Sequence, residues 1–523
     1  MRLDKRTFLY SASVLACSNL GLQVLGFVYR IALSRLAGAE GLGVYRLVFS
    51  VYIVINSFCL SGITLACSRL GAAQQAQGRP EQLRALMRLA TGLFLLLFAL
   101  CATIILPFHD FIANTLLGDD RTAAALPIML FCLFLTGFEN IIKSLFLGIG
   151  KVQYAAVSET GEQIIRMIAV VALLVTFGDN DYGRIAALIM LGMAFSECFS
   201  AGFLGLLYRR YIGCYRRGKT VRAAPGMLRG MLDIAVPLSL AAVASNVISS
   251  ASAVVLPGRL VQAGLTNSGA LSALGVVSGM AGPLITLPIA LVSAVSAVLV
   301  PSITAAQARG DLRRVRALTD KTLTVTGLIC IPATAAIVPL APSLARVFFG
   351  QGIPLTYMAI LGLAAILGYY QMMTASLLNG IGEQRRAVIA AVCGEALQLG
   401  LTWVLAARPS LQIYGYLLAM LISPVPVIAV NLWGLLKKTG LRLRVLHTFG
   451  APLLCGATVF LWVRVFYGYF LGACGSQWSA ALFAAAGAAV LYFGLLHLLG
   501  IRVAEYIASR ISRTETLAFF GFL

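Results

Sequence analysis

Long apolar runs, each broken by a short polar or charged stretch, recur along the whole chain. They fall at roughly 8–36, 44–71, 88–108, 123–148, 155–177 and 184–208, followed by a basic loop at 209–229. A second set falls at roughly 231–257, 271–304, 320–343, 354–381, 387–407 and 411–436, with a last pair near 448–470 and 478–500. A helix rising 1.5 Å per residue needs about 20 such residues to cross a hydrocarbon core of about 30 Å. These runs are too long for the strands of a membrane barrel. The pattern predicts an all-α, polytopic membrane protein with about 14 transmembrane helices.

Composition agrees with the pattern. Of 523 residues, 60% are hydrophobic and 11% charged, whereas an ordinary soluble domain is about a quarter charged. A soluble enzyme with one anchor is ruled out. The net charge of +21 would suggest nucleic acid, but the basic residues cluster in short loops between apolar runs, as topogenic signals do. The N-terminus, alternate loops and the C-terminus (Arg79, Arg84, Arg88; Arg209 to Arg229; Arg309 to Lys321; Arg385, Arg386; Lys437 to Arg444; Arg502, Arg510, Arg513) hold about 28 basic residues, and the opposite loops about eight. Both termini are therefore expected in the cytoplasm, with a retained first span after Arg2, Lys5 and Arg6. Most of the 11 cysteines fall inside apolar runs without a C-x-x-C pair, and His109, His447 and His497 are scattered. Neither a metal site nor a disulfide framework is expected. There is no Walker A stretch, so ATP is not the direct driver.

The chain echoes itself. AAQQAQGRPEQLRALMRLATGL (72–93) returns as AAQARGDLRRVRALTDKTLTVTGL (305–328), and Gly148-Ile149-Gly150 returns as Gly380-Ile381-Gly382, both at an offset of 232. Gly161-Glu162 returns as Gly394-Glu395 at 233. Charge bias would explain shared arginines but not Gly-Ile-Gly. Six spans per repeat give two halves of the same orientation, as in transporters built of parallel repeats. The expected organisation is a six-helix lobe over 1–208, a cytoplasmic linker over 209–230, a second six-helix lobe over 231–436, and two additional helices with a tail over 437–523.

Particular stretches carry a family resemblance. LGFVYRIALSRLAGAEGLGVYRL (25–47), VSETGEQIIRM (157–167) and VSGMAGPLITLPIALVSAVSAVLVPSITAAQARGDL (277–312) resemble the stage V sporulation protein B family. That family sits in the polysaccharide-transporter branch of the multidrug/oligosaccharidyl-lipid/polysaccharide exporter superfamily, with MurJ-like lipid II flippases as more distant relatives. Ala155-Ala156 departs from the Pro-Thr usual before the second stretch, and the likeness is weakest after residue 440. The resemblance implies two lobes plus two C-terminal helices that shape a groove for a lipid tail. The implied activity is that of a flippase, not an enzyme. It would move a polyprenyl-diphosphate-linked saccharide, with lipid II for peptidoglycan as the first choice, across a bacterial inner membrane, with sporulation as one implied setting. Membrane lipids and cell-wall synthases would be its neighbours, the chain would act as a monomer, and no cofactor or nucleic acid would be involved. A cation-coupled multidrug exporter, an exporter of another polyprenyl-linked unit and a non-transporting scaffold are the competing readings.

Charged groups within spans are costly and hence candidates. A diphosphate calls for arginine, whose planar fork makes bidentate contacts. Arg30, Arg166 and Arg259 are the candidate substrate-binding residues. The resemblance favours a cavity for Arg30, although at about 30 Å along its helix it could also snorkel to the interface. Arg259, in Pro257-Gly258-Arg259-Leu260, is its counterpart in the second half, or an ordinary loop arginine. Glu159, Glu162 and Arg166 share one helical face, with Glu162 as counter-charge or ion-coupling group or, alternatively, one half of an intrahelical pair. Glu139 with Lys143, Glu197 and Glu395 are further candidate counter-charge or ion sites, the first most simply a self-satisfied pair. Arg166 has Leu399 as its counterpart, so the halves are chemically unequal. Gly279, Gly282, Pro283 and Pro288 in span eight supply bending points for a rocking mechanism, unless they serve helix packing.

Overall fold

The computed structural model describes residues 5–79, 81–179, 181–211, 225–441 and 446–498. Residues 212–224 of the basic loop, Arg216 among them, and Arg502, Arg510 and Arg513 lie outside the described residues. Among the described residues there are helices and no strands. The first half runs α1 (Lys5–Asn56), α2 (Gly62–Ala76), α3 (Gln82–Ile105), α4 (Ala125–Gly148), α5 (Val152–Phe177) and α6 (Tyr182–Tyr211). It is followed by α7 (Met227–Gln262), α8 (Asn267–Gly275), α9 (Ile289–Ala308), α10 (Leu312–Phe349), α11 (Leu355–Gly380) and α12 (Gln384–Leu405). The chain closes with α13 (Ile413–Ile422), α14 (Pro424–Thr439), α15 (Ala451–Cys474) and α16 (Gln477–Leu498).

Thirteen of the helical segments among the described residues are long and apolar enough to cross a membrane. The first, Gly21–Ala76, has 56 residues, about 84 Å of helix at 1.5 Å per residue. It turns at Gly38, whose φ of 68° and ψ of 176° lie in a region essentially reserved for glycine. One glycine therefore converts a helix too long for a bilayer into two crossings, in keeping with the 14 expected. Span eight is likewise broken: a π turn at Val276–Ala281 and a single turn of helix at Gly282–Ile285 precede a turn at 286–288. Pro288 then caps α9. Gly279 packs on Leu42, whose Cδ1 would lie 2.7 Å from an added Cβ.

The repeat is written into the backbone. Gly78, Gly118 and Gly150 adopt φ of 68°, 70° and 78°, and Gly310, Gly350 and Gly382, each 232 residues on, adopt 71°, 74° and 85°. The hydrogen bonds repeat with them. Lys151 N–H donates to Phe146 C=O at 2.9 Å, and Glu383 N–H donates to Leu378 C=O at 2.9 Å. These are Schellman ends, where a left-handed glycine lets the chain turn back on the last carbonyls.

The helices form two compact units, Met1–Gly279 and Met280–Leu523. In the first, α4 packs on α6 and α2, α5 packs on α6 and α1, and α7 and α8 pack on α2 and α1. The division falls two helices beyond the 209–230 segment because α8 lies in backbone contact with α1. A Cβ at Gly43 would fall on the Leu271 carbonyl, and one at Gly275 on the Ala39 carbonyl. A polar clasp closes the same seam: Glu40 accepts from Ser268 Oγ at 2.5 Å and from Arg121 Nη1 at 2.8 Å. Arg121 also forks onto Asp119 at 2.7 and 2.9 Å. In the second unit, α10 packs on α15, α11 and α9, α11 packs on α14 and α13, α12 packs on α13 and α14, and α15 pairs with α16.

A side chain at Gly275 should wedge this seam apart. In Gly275→Val, the yield of a short bifunctional crosslink between cysteines placed at Glu40 and Ser268 should fall several-fold. Gly92→Ala, where nothing lies within 4 Å, should leave the yield unchanged. An undiminished crosslink in Gly275→Val would mean that α1 and α8 do not depend on that close approach.

Candidate functional site

The charged residues on α4, α5 and α6 meet. Helical spacing puts Glu139 and Lys143 on one face of α4, and Glu159, Glu162 and Arg166 on one face of α5. The packing of α4 and α5 on α6 turns these faces toward Ser196, Glu197 and Ser200. Glu139, Glu162 and Glu197 are 2%, 8% and 3% exposed, so each carboxylate has lost nearly all its water and must be compensated by protein. Lys143 Nζ lies 2.6 Å from Glu139 Oε1 and 3.3 Å from Glu159 Oε1. Arg166 Nη2 bonds both Glu162 Oε1 and Glu197 Oε1, the latter at 3.1 Å, while its Nε donates to Ser196 Oγ at 3.3 Å. Behind them the buried hydroxyls of Ser158 and Ser200 are 2.6 Å apart.

Four carboxylates thus share two cations. Oxygens of Glu139, Glu162 and Glu197 all lie within 4.8 Å of one another, and the buried Glu197 Oε2 has no hydrogen-bond partner. Like charges this close in a poorly solvated setting repel strongly. The arrangement suits an additional proton or a small oxygen-seeking cation, whose ligand distances of about 2.3–2.6 Å such a triangle can accommodate. Cysteine and histidine, on which the expectation of no metal site rested, play no part in it. Glu139 and Lys143 are more than a self-satisfied pair, since Lys143 bridges α4 to α5.

Of the three candidate arginines, two share a neighbourhood. Arg30 and Arg166 both act electrostatically on Tyr29 and Tyr45 of α1. Arg166 is paired with two carboxylates, whereas the exposed Arg30 side chain has no hydrogen-bond or ion-pair partner among the described residues. Arg259 lies elsewhere, in the last turn of α7, which continues through Pro257; its Nη1 donates to Gln262 Oε1 at 2.7 Å. Glu395, half-buried on α12, belongs to the second unit. One residue escaped the sequence reading: Arg46, half-buried, also without an ion-pair partner among the described residues, and within electrostatic range of Arg30 and Tyr45. A signal existed. Arg30 and Arg46 stand eight residues before and after Gly38, and folding back at that glycine brings equidistant residues to similar depth.

This fold is the one seen in solved structures of MOP superfamily transporters. An inward-facing multidrug resistance MATE family transporter of that superfamily superimposes with a TM-score of 0.66 at 17% identity, covering 81% of this chain and 98% of that one. A MOP superfamily transporter from Pyrococcus furiosus, described as having a binding pocket of reverse polarity, gives 0.59 at 17% identity over 84% and 99%. The chain belongs to the polysaccharide biosynthesis protein family, whose pattern matches residues 8–307. Two relatives come from Bacillus subtilis (strain 168). Stage V sporulation protein B is 23% identical over 87% of this chain and 89% of its own length. Lipid II flippase MurJ is 21% identical over 72% and 73%. Of these, MurJ is named as a flippase and the solved structures as transporters.

Removing Arg166 should strand two buried carboxylates. Arg166→Ala is expected to cost about 3–5 kcal/mol, as breaking a buried ion pair does, seen as a large drop in the thermal midpoint of the purified protein. Adding Glu162→Gln and Glu197→Gln to it should recover most of the loss. A single Arg166→Ala variant as stable as the parent would mean that the cluster is not stabilised by ion pairing.

Proposed function

We propose that this transporter is a flippase that moves a lipid-linked saccharide precursor, lipid II as the first choice, from the inner to the outer leaflet by alternating access. The observation that carries the reading is the pair of arginines without ion-pair partners, Arg30 and Arg46, beside the ion-paired Arg166. A cation that lacks a counter-charge within a membrane chain is retained for an anionic ligand, and guanidinium forks match a diphosphate. Arg30 and Arg46 would engage the diphosphate first. Arg166 would join when Glu162 and Glu197 release it, the acids serving as its counter-charge or ion-coupling partners in the empty state. Arg259 would serve the second half. In this reading the chain works as two six-helix lobes with hinges around Gly279, Gly282, Pro283 and Pro288, and with α15 and α16 flanking the lipid tail. Both termini would be cytoplasmic, in a bacterial inner membrane. The named activity of the MurJ relative supports the substrate class, and stage V sporulation protein B supports a role in sporulation.

A second reading has its own support. Three buried carboxylates within 4.8 Å are what a cation-coupled multidrug exporter would use to hold a cationic substrate or its driving ion.

Rescue of cells depleted of their lipid II flippase separates the two. Arg30→Ala, at an exposed position that should not disturb folding, is expected to abolish or greatly weaken rescue. Arg30→Lys should rescue partly, since Lys keeps the charge but loses the fork. One lost charge-assisted contact corresponds to about 1.5–3 kcal/mol, or one to two decades in affinity. Normal rescue by Arg30→Ala together with loss of resistance to a cationic drug would favour the exporter. For orientation, cysteines beside Asp119 and Asp181 should label from outside and one beside Arg314 should not.

A further inference from the structure

In the second unit a groove of ≈ 580 Å³ runs between α12 and α14, a volume within the range of small-ligand sites. Its two ends differ chemically. At one end stand Glu383, Arg385 and Arg386, and the walls beyond are Ile389, Leu397, Pro426, Val427 and Val430. Gly394 forms part of the floor: a Cβ there would collide with Val427, so this glycine allows α12 and α14 to come as close as they do.

The polar end is cationic. Neither the Arg385 nor the Arg386 guanidinium has a hydrogen-bond or ion-pair partner among the described residues. The Arg386 guanidinium lies 5.1 Å above the Trp433 ring and Lys437 Nζ 5.3 Å from it, fixing both cations at the mouth by cation–π attraction. Glu383 does not cancel them. Lys438 Nζ bonds its Oε1 at 2.9 Å and holds its carboxyl below the usual range. The mouth therefore carries three uncompensated positive charges at the head of an apolar slot. The slot is open, since Ile389 and Val430 of its walls are 52% and 43% exposed, as are the neighbouring Val425 and Trp433 at 52% and 57%.

We propose that this groove binds an anionic phospholipid of the surrounding bilayer, its phosphate between Arg385 and Arg386 and an acyl chain along Ile389, Leu397 and Val430. Charge complementarity and amphipathic shape select a lipid with a phosphate head. Basic pockets between membrane helices hold such headgroups. Openness to the bilayer selects the source, because an open site fills by mass action with the lipid present in excess. The geometry also favours a single phosphate: consecutive residues point about 100° apart around a helix, so Arg385 and Arg386 reach two oxygens of one phosphodiester from the same edge rather than clamping a diphosphate from opposite sides. This site is independent of the arginines of α1 and α5, and its occupant is not the transported substrate.

Cys393 reports on the groove directly. It lines the slot and is exposed, as are Cys198 and Cys474 elsewhere. With the full-length protein in detergent, adding phosphatidylglycerol should slow maleimide modification of Cys393 several-fold and leave Cys198 and Cys474 unchanged. Phosphatidylcholine should protect far less. Native mass spectrometry should find phosphatidylglycerol bound about tenfold more weakly to R385A/R386A and nearly normally to R385K/R386K. Equal protection by the two lipids, or no selective protection of Cys393, would overturn the proposal, and the unmodified protein gives that answer even if the alanine variant does not fold. A retained mass matching a polyprenyl diphosphate would also overturn it, assigning the groove to the transport substrate.

Discussion

The first unit depends on the ion pairs that join α4, α5 and α6. In a bilayer the hydrophobic effect gives apolar helices no reason to leave lipid for one another, and association rests on close packing and polar contacts. Here the polar contacts are charged. Arg166 reaches from α5 to Glu197 on α6, and Lys143 from α4 to Glu159 on α5. Each pair crosses a helix boundary, so no helix of the three can rotate or slide without exposing a charge to hydrocarbon. The cluster therefore fixes the rotation of α5, whose span is among the least buried of the chain and would otherwise be free to turn.

The same physics makes the cluster incomplete. Two cations cannot neutralise four carboxylates, and the unpartnered Glu197 Oε2 marks where compensation falls short. A structural device would be expected to balance its charges, because each unpaired ion costs several kcal/mol when buried. An excess of negative charge next to Arg30 and Arg46, which have no ion-pair partners among the described residues, resembles a poised site, in which an arriving cation or phosphate redistributes the pairs.

Much of the fold was legible because bilayer crossing leaves few solutions. Apolar runs of the right length must be helices, and the left-handed glycines at positions 78, 150, 310 and 382 lie in or beside the motifs that reveal the repeat. The site was partly legible. Glu159, Glu162 and Arg166 could be placed on one face from spacing alone, and Glu139, Lys143 and Glu197 could be singled out as charges within spans. Their convergence could not be read, because it depends on how α4 and α5 seat on α6, a matter of rotation that helical periodicity does not fix. Arg46 was missed for a different reason: a break between the runs 8–36 and 44–71 was expected, but the alignment of Arg46 with Arg30 depends on the turn falling at Gly38 itself. The seam of α8 against α1 was illegible as well, since small residues such as Gly43 and Gly275 are compatible with many packings.

The backbone repeats between the two halves, but the chemistry does not. At the offset of 232 fixed by the paired glycines, Glu139 corresponds to Gln371 and Lys143 to Ala375. Arg166 corresponds to Leu399 at the offset of 233 that relates Glu162 to Glu395. The second unit has lost its cations at these positions, and Glu395 is half-buried whereas Glu162 is buried. In place of ion pairs, a cavity of ≈ 300 Å³ lined by Gln371, Ala375 and Asn431 lies among α11, α12 and α14. Ion pairs demand tight, fixed contact, whereas neutral amides beside a cavity do not. The repeat thus yields one half joined by buried ion pairs and another with a cavity beside neutral amides and an amphipathic groove between α12 and α14. The difference arises from a few substitutions on an otherwise duplicated backbone.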